Sequence, residues 1–274
     1  MSFFEKIFGK NQENQLQTEE APVVLEEVPN EWGSFSTLID DQVASIRLNL
    51  ALAQVAPYAQ YSYAMRLKIA LLDVESETKF PTNDEFLKLN TIEDELSEAL
   101  FNISGIYVGT VITDGHIEYY YYLRDKQSHV AAISRVMKEF PDYQYSSATL
   151  VDPEWNQYFE FLYPNEYEYQ TILNQRIWYE LEKSGDHHDQ IREINHWICC
   201  TSEETKAELM LEVEKLAYTL VSTDKLQDST RPYRIQISRL DDTELSHLNQ
   251  NVWELVEISK KYGGKYSGWS CNVV

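Results

Sequence analysis

Between residues 63 and 103 the hydrophobic period changes once, and that change restricts the possible folds more than any other feature. Met65, Leu67, Ile69 and Leu71 alternate with polar or small residues, the pattern of a strand with one buried face. After Pro81 the apolar residues Phe86, Leu89, Ile92, Leu96, Leu100 and Ile103 recur at helical spacing, and Thr82-x-x-Glu85 reads as the capping box that opens this helix. A strand from Gly105 to Thr113 follows, then a turn at Asp114–Gly115 and a returning strand over His116–Leu123. A helix over 126–139 carries Val130, Ile133, Val136 and Met137 inward and stops at Pro141, before a last strand at 143–151. The order β-α-β-β-α-β specifies a split-βαβ, ferredoxin-like unit with two helices on one sheet face. A hairpin precedes it, with strands at 34–39 and 42–53 around Asp40–Asp41, and Ile46, Leu48, Leu50 and Leu52 on one face.

The second half repeats the order after a leading helix at 165–184, which holds Tyr169, Ile172, Leu173, Ile177 and Leu181 inward and ends at Gly185. A strand at 191–199 leads to a helix opened by Thr201-x-x-Glu204, then to strands near 218–224 and over Tyr233–Arg239. Asp241-x-x-Glu244 opens a helix with Leu245, Leu248, Val252 and Leu255 inward, Gly263–Gly264 caps it, and a strand at 265–273 closes the chain. The expected fold is therefore α+β: two ferredoxin-like (βαββαβ) domains with mainly antiparallel sheets, the first preceded by a β-hairpin and the second by a helix. The boundaries read as 1–31 for a terminal peptide and acidic linker, 32–150 for the first domain and 151–274 for the second. Within the terminal peptide, Phe3, Phe4, Ile7 and Phe8 share one face of a short helix capped by Ser2 and Glu5. A helix this short needs something to dock on, whether the chain itself, a partner or a membrane.

The 274 residues include 23 Lys and Arg against 45 Asp and Glu, a net charge of −22. With 43% hydrophobic residues and 19 tyrosines the chain has enough apolar surface to fold despite that charge. No apolar stretch approaches the ~20 residues that span a bilayer, and the start lacks the pattern of a secretory signal. Three cysteines, two of them adjacent at Cys199 and Cys200, make no disulfide framework, which fits a reducing, cytoplasmic compartment. The charge is spread as −5 over residues 1–34, −7 over 35–150 and −10 over 151–274. Such a surface repels nucleic acid and favours a basic protein partner.

Residues 155–274 carry Trp155-x-x-Tyr158, Phe161-Leu162-Tyr163-Pro164, Gly185-Asp186 and Arg192-x-Ile194-x-His196-Trp197. They continue with Pro232-Tyr233, Arg239 and Gly263-Gly264-x-Tyr266-x-Gly268-Trp269. This series resembles the RraB-type regulators of ribonuclease E activity. The resemblance implies a cofactor-free inhibitor that binds an endoribonuclease, with a basic segment of the enzyme meeting the acidic chain. Those inhibitors are short and single-domain, whereas this chain adds a whole domain. Residues 32–150 resemble a bacterial domain family of unknown function through Phe80-Pro81-Thr82, Ile92-Glu93-Asp94, Val108-Gly109-Thr110 and Tyr121-Tyr122.

No catalytic, metal or cofactor site is expected. Asp186-His187-His188-Asp189 reads as a solvated turn, because adjacent ligands rarely converge on one ion. His196, flanked by Ile194 and Ile198 on its face, reads as a hydrogen-bonded core histidine, and Cys199 and Cys200 as thiols on opposite sheet faces. Tyr119 and Tyr121 belong to one core with Ile117 and Leu123, and Tyr120 and Tyr122 to the opposite face. The face opposite Ile194 and Ile198 presents Glu193, Asn195, Trp197, Arg234 and Gln236. A tryptophan ringed by polar groups suits a binding hot spot, and it suits equally a sheet stacked on the first domain. The function read from these features is a non-catalytic, protein-binding regulator. The alternatives are an interaction protein with an unrelated partner and a histidine-based metal protein or hydrolase.

Overall fold

The computed structural model describes residues 28–227 and 230–274; the Phe-rich peptide and most of the acidic linker lie outside them. The first sheet is built from β1 (Trp32–Ile39), β2 (Gln42–Asn49), β3 (Tyr63–Ala70), β4 (Ile106–Thr113), β5 (His116–Leu123) and β6 (Tyr145–Val151). Its order is β1-β2-β4-β5-β3-β6, and every pair is antiparallel. Strands β3 to β6 make the split-βαβ order, and the β1–β2 hairpin extends the sheet beyond β4. The second sheet, from β7 (Arg192–Cys200), β8 (Thr219–Lys225), β9 (Tyr233–Asp241) and β10 (Lys265–Cys271), has the same order, β10-β7-β9-β8. The fold is α+β with two ferredoxin-like sheets.

Helices α1 (Asn83–Phe101) and α2 (Ser128–Met137) cover one face of the first sheet. There Leu89, Ile92 and Leu96 meet Met65, Leu67, Ile69, Tyr119 and Tyr121. Thr82 caps α1 as expected, accepting from the Glu85 N–H. Glu85 does not return the bond; its buried carboxylate accepts from the Leu72 N–H at 2.9 Å and the Tyr143 hydroxyl at 3.0 Å. Phe86 and Val130, expected inward, are exposed, and His129 takes the buried position on α2. The second strand of the opening hairpin ends early. Asn49 caps a 3₁₀ turn over Leu50–Gln54, so Leu50 and Leu52 reach the core from a turn and not from a strand.

Tyr120 and Tyr122 face the other side of this sheet, and the chain itself roofs them. After β6, Asp152 accepts from the Tyr122 hydroxyl at 2.6 Å and from the N–H groups of Asn156 and Gln157 at 2.8 and 2.9 Å. These bonds start the π-helical turn Gln157–Leu162. Trp155, fully buried, stacks on Tyr122 at 3.9 Å between centroids and 7° between planes, and its indole N–H donates to the Tyr61 carbonyl. Its φ of 59° is costly for so bulky a residue, and the stack, the indole bond and the Asp152 carbonyl together hold it there.

Helix α3 (Glu166–Lys183) follows, opened by a complete capping box between Asn165 and Glu168. It serves two cores. Ile172 packs with β1, where Gly33 leaves no room for a Cβ beside Ile172 and Leu50, whereas Leu181 packs in the core of the second sheet. That second core lies under α4 (Glu203–Lys215) and α5 (Leu245–Lys261). Both of their expected start signals are displaced. Ser202 rather than Thr201 caps α4, and Asp241 remains in β9, accepting from Arg239 and Asn251, while α5 begins at Leu245.

Trp155→Ala removes a fully buried indole and its hydrogen bond. The variant is expected to lose about 3–5 kcal/mol of stability, read by denaturant unfolding. Asp152→Asn, which keeps the volume, should lose less.

Candidate functional site

Strand β7 alternates cleanly. Ile194, His196, Ile198 and Cys200 are buried under the helices, while Glu193, Asn195, Trp197 and Cys199 point the other way and stay partly or fully exposed. Register sets their neighbours: Trp197 lies opposite Gln236, and Cys199 opposite Arg234. The Gln236 amide donates to Asn195 Oδ1 at 2.8 Å, and Arg234 pairs with Asp224 at 2.8 Å. The structure thus gathers Glu193, Asn195, Trp197, Arg234 and Gln236 on one face. The segment from Trp155 to Ile172 covers the corresponding face of the first sheet, and the core it forms there takes in no residue of the second sheet. Of the two settings open to Trp197, stacking on the first sheet is not the one found.

A cavity of about 910 Å³ begins at Trp197 and runs between α3 and β10. Tyr169, Leu173 and Ile177 line it from α3, and Lys265 to Trp269 line it from β10. The indole N–H of Trp269 donates to Asn174 Oδ1 at 2.9 Å, which fixes α3 beside this edge strand. At Ser267 a bulge shifts the register, with Gly268 at φ 125°, a conformation that favours glycine. The bulge breaks the regular edge that would otherwise invite another strand.

The Asp186–Asp189 turn is not simply solvated. The Asp186 carboxylate is fully buried, paired with Arg192 at 2.5 Å, and accepts from the Val274 N–H at 2.9 Å. Burial works against its charge, but the bonds from Arg192 and Val274 outweigh it and hold the carboxyl below its ordinary value. His188 stacks on Trp178 at 4.3 Å and bonds Thr243. The turn therefore clamps the C-terminal residues to the start of β7. No group of His, Cys, Asp and Glu among the described residues is arranged to hold a metal ion.

His196 is buried and hydrogen-bonded to the Tyr266 hydroxyl at 2.8 Å. Burial, reinforced by Arg239, pushes its pKa down to about 3. Cys200, also buried, has its thiol pushed up to about 11 by burial and by the neighbouring Cys199.

The sequence reading missed one polar cluster, on the first sheet. Glu118 is nearly buried there, accepts from the Tyr120 hydroxyl at 2.6 Å, and lies near Arg66, Lys68 and His116 at 3.4, 3.8 and 3.6 Å. The signal was Arg66 and Lys68 alternating with Met65 and Leu67, which placed both cations on the face shared with Tyr120.

Two family models divide the chain between them. Residues 30–163 match a family of unknown function, DUF695, and residues 171–271 match Regulator of ribonuclease activity B. The first match takes in Trp155, Tyr158 and Leu162, in keeping with their place under the first sheet. The second spans the open face and the β10 side of the cavity. A search of curated proteins gave no match. Among solved structures, an unknown protein from Galdieria sulphuraria is 12% identical with a TM-score of 0.21, the alignment covering 78% of this chain and 98% of that one. A putative glycine cleavage system transcriptional repressor is 9% identical with a TM-score of 0.24, covering 77% and 98%.

The buried neutral histidine sets a pH dependence. Below pH 6.5 the unfolded chain takes up a proton at His196 that the folded protein refuses until about pH 3, so stability falls with pH across that window. At pH 5 this amounts to about 2 kcal/mol relative to neutral pH. In His196→Gln the difference in unfolding free energy between pH 7 and pH 5 should shrink by that amount; equal differences would remove His196 as the cause.

Proposed function

We propose that the protein is a non-catalytic regulator that binds and restrains an RNase E-like endoribonuclease, using the open face of the second sheet. The observation that carries this reading is Trp197, half-buried among polar groups on this sheet face and lining a cavity of about 910 Å³. Interface anchors are commonly aromatic side chains of this kind, set in a ring of polar groups. The match of residues 171–271 to Regulator of ribonuclease activity B supplies the class of partner. Glu193, Asn195, Arg234 and Gln236 form the polar rim, and no cofactor is required.

The net charge of −22 would steer a basic segment of the nuclease towards the protein. The carboxylates available to receive it lie mostly on the helical layer, where α4 exposes Glu203, Glu204, Glu208 and Glu214. The open face is nearly neutral, with Glu193 and Asp224 offset by Arg234 and Lys265. Steering and anchoring are thus assigned to different faces.

The test is affinity capture from the native cell extract, followed by titration of the captured nuclease. Trp197→Ala should weaken binding by at least about 2 kcal/mol while leaving the melting temperature nearly unchanged. Raising the salt from 50 to 500 mM should slow association more than it speeds dissociation. A destabilised Trp197→Ala whose folded fraction binds normally would sink the assignment of this face.

A further inference from the structure

Strands β1 and β6 end the first sheet, and β8 and β10 end the second. An end strand carries a row of unpaired backbone groups, which proteins normally blunt with bulges, charges or cover. The start of β1 meets α3, where Arg176 donates to the Trp32 carbonyl and Ile172 packs on Gly33. Strand β8 shifts register between Leu220 and Ser222 and ends in Asp224 and Lys225, and β10 is bulged at Ser267. Strand β6 has none of these devices. Its register with β3 runs unbroken from Tyr63 opposite Val151 to Ile69 opposite Tyr145. Its sequence, Tyr-Ser-Ser-Ala-Thr-Leu-Val, holds no Lys, Arg, Asp, Glu, Gly or Pro, and every residue but the half-buried Thr149 is exposed.

Hydrogen bonds at the two ends of β6 show which of its backbone groups are spare. The Asp152 N–H donates to the Ser62 carbonyl at 2.8 Å, and the Ala70 N–H donates to the Gln144 carbonyl at 3.0 Å. Residues bonded to one neighbour alternate along an antiparallel ladder, so Ser146, Ala148 and Leu150 turn their backbone groups to β3 as well. Tyr145, Ser147, Thr149 and Val151 turn theirs outward. We propose that this edge pairs with β6 of a second copy of the chain, antiparallel about a two-fold axis at Ala148, which joins the two first sheets into one. The strand is self-complementary about that point. Ser147 falls opposite Thr149 of the second copy and Tyr145 opposite its Val151, so outward groups meet outward groups and each such pair exchanges two N–H···O bonds. Serine with threonine and an aromatic with a β-branched residue are both favourable cross-strand pairs. A slip of one residue would set spare groups against groups already bonded. Charge selects the same place, because two copies of net charge −22 repel and β6 is a surface that carries none. An edge of seven residues buries less than the roughly 1,600 Å² of a standard stable interface, which puts the dimer in the micromolar range. The pairing uses no residue of the second sheet and is independent of the nuclease reading.

Sedimentation velocity of the full chain between about 1 and about 200 µM tests it. The expected result is a monomer–dimer equilibrium that tightens at least threefold from about 50 to about 500 mM salt, because salt screens the repulsion between copies and no ion pair holds the strands together. Ser147→Pro removes an N–H that the fold does not use, and should weaken the dimer at least tenfold with the melting temperature nearly unchanged. Two double variants decide the matter even if that proline disturbs the fold. Ser147→Lys with Thr149→Lys sets like charges opposite each other in the pair, as does Ser147→Glu with Thr149→Glu, so each should be monomeric alone and an equimolar mixture should dimerise. A chain that stays monomeric over the whole range overturns the proposal, as does a dimer unaffected by a folded Ser147→Pro, or a lysine–glutamate mixture that fails to associate.

Discussion

The contact between Trp155 and Tyr122 decides which surfaces of this protein are free. A six-stranded sheet with tyrosines on both faces needs cover on both, and two helices supply only one. The second cover is made by the chain as it leaves the sheet, with Asp152 binding the tyrosine hydroxyl and turning the backbone so that the indole lands on the ring. Once that roof is in place, the first sheet has no apolar face left to offer the second. The open face around Trp197 is thus a consequence of packing some distance away. It follows from sheet physics that two half-buried sheets stack only if both still have something to bury.

Most of the architecture was legible in the sequence because period, turn residues and Gly caps agree with one another over long stretches. The Tyr119–Tyr122 run shows how far such a reading reaches: alternation alone assigns the four rings to two cores, and both assignments hold. What failed were details in which two local signals compete. Thr201 and Ser202 are both competent caps, and Ser202 is the one whose hydroxyl accepts from the Thr205 N–H. Asp241 looks like a cap until Arg239 and Asn251 claim it. Glu85 abandons its box because a buried backbone N–H and a tyrosine hydroxyl need an acceptor more than an exposed helix end does. Of the candidate face, the alternation of β7 and β9 was readable, but not the packing of the Trp155 to Ile172 segment on the first sheet, which rests on contacts distant in sequence.

Net charge is a property of the whole molecule, and a binding site is not. Counting residues gives an acidic second half and suggests one acidic surface, yet most of the glutamates of that half lie on helices, while Arg176 and Arg234 beside one groove are each paired with a carboxylate, Glu31 and Asp224. The two fields act over different ranges. A diffuse field set by the total charge governs encounter across about a Debye length, ~8–10 Å, while the few groups lining a groove govern which side chain stays.

Helix α3 carries a further consequence. Ile172 and Leu181 lie nine residues apart on one rigid rod and are held in different cores, about 13 Å from each other along its axis. Neither sheet can rock against the other without bending this rod or pulling one of these residues from its socket. The helix is thus a splint set into both cores rather than a loose linker between them.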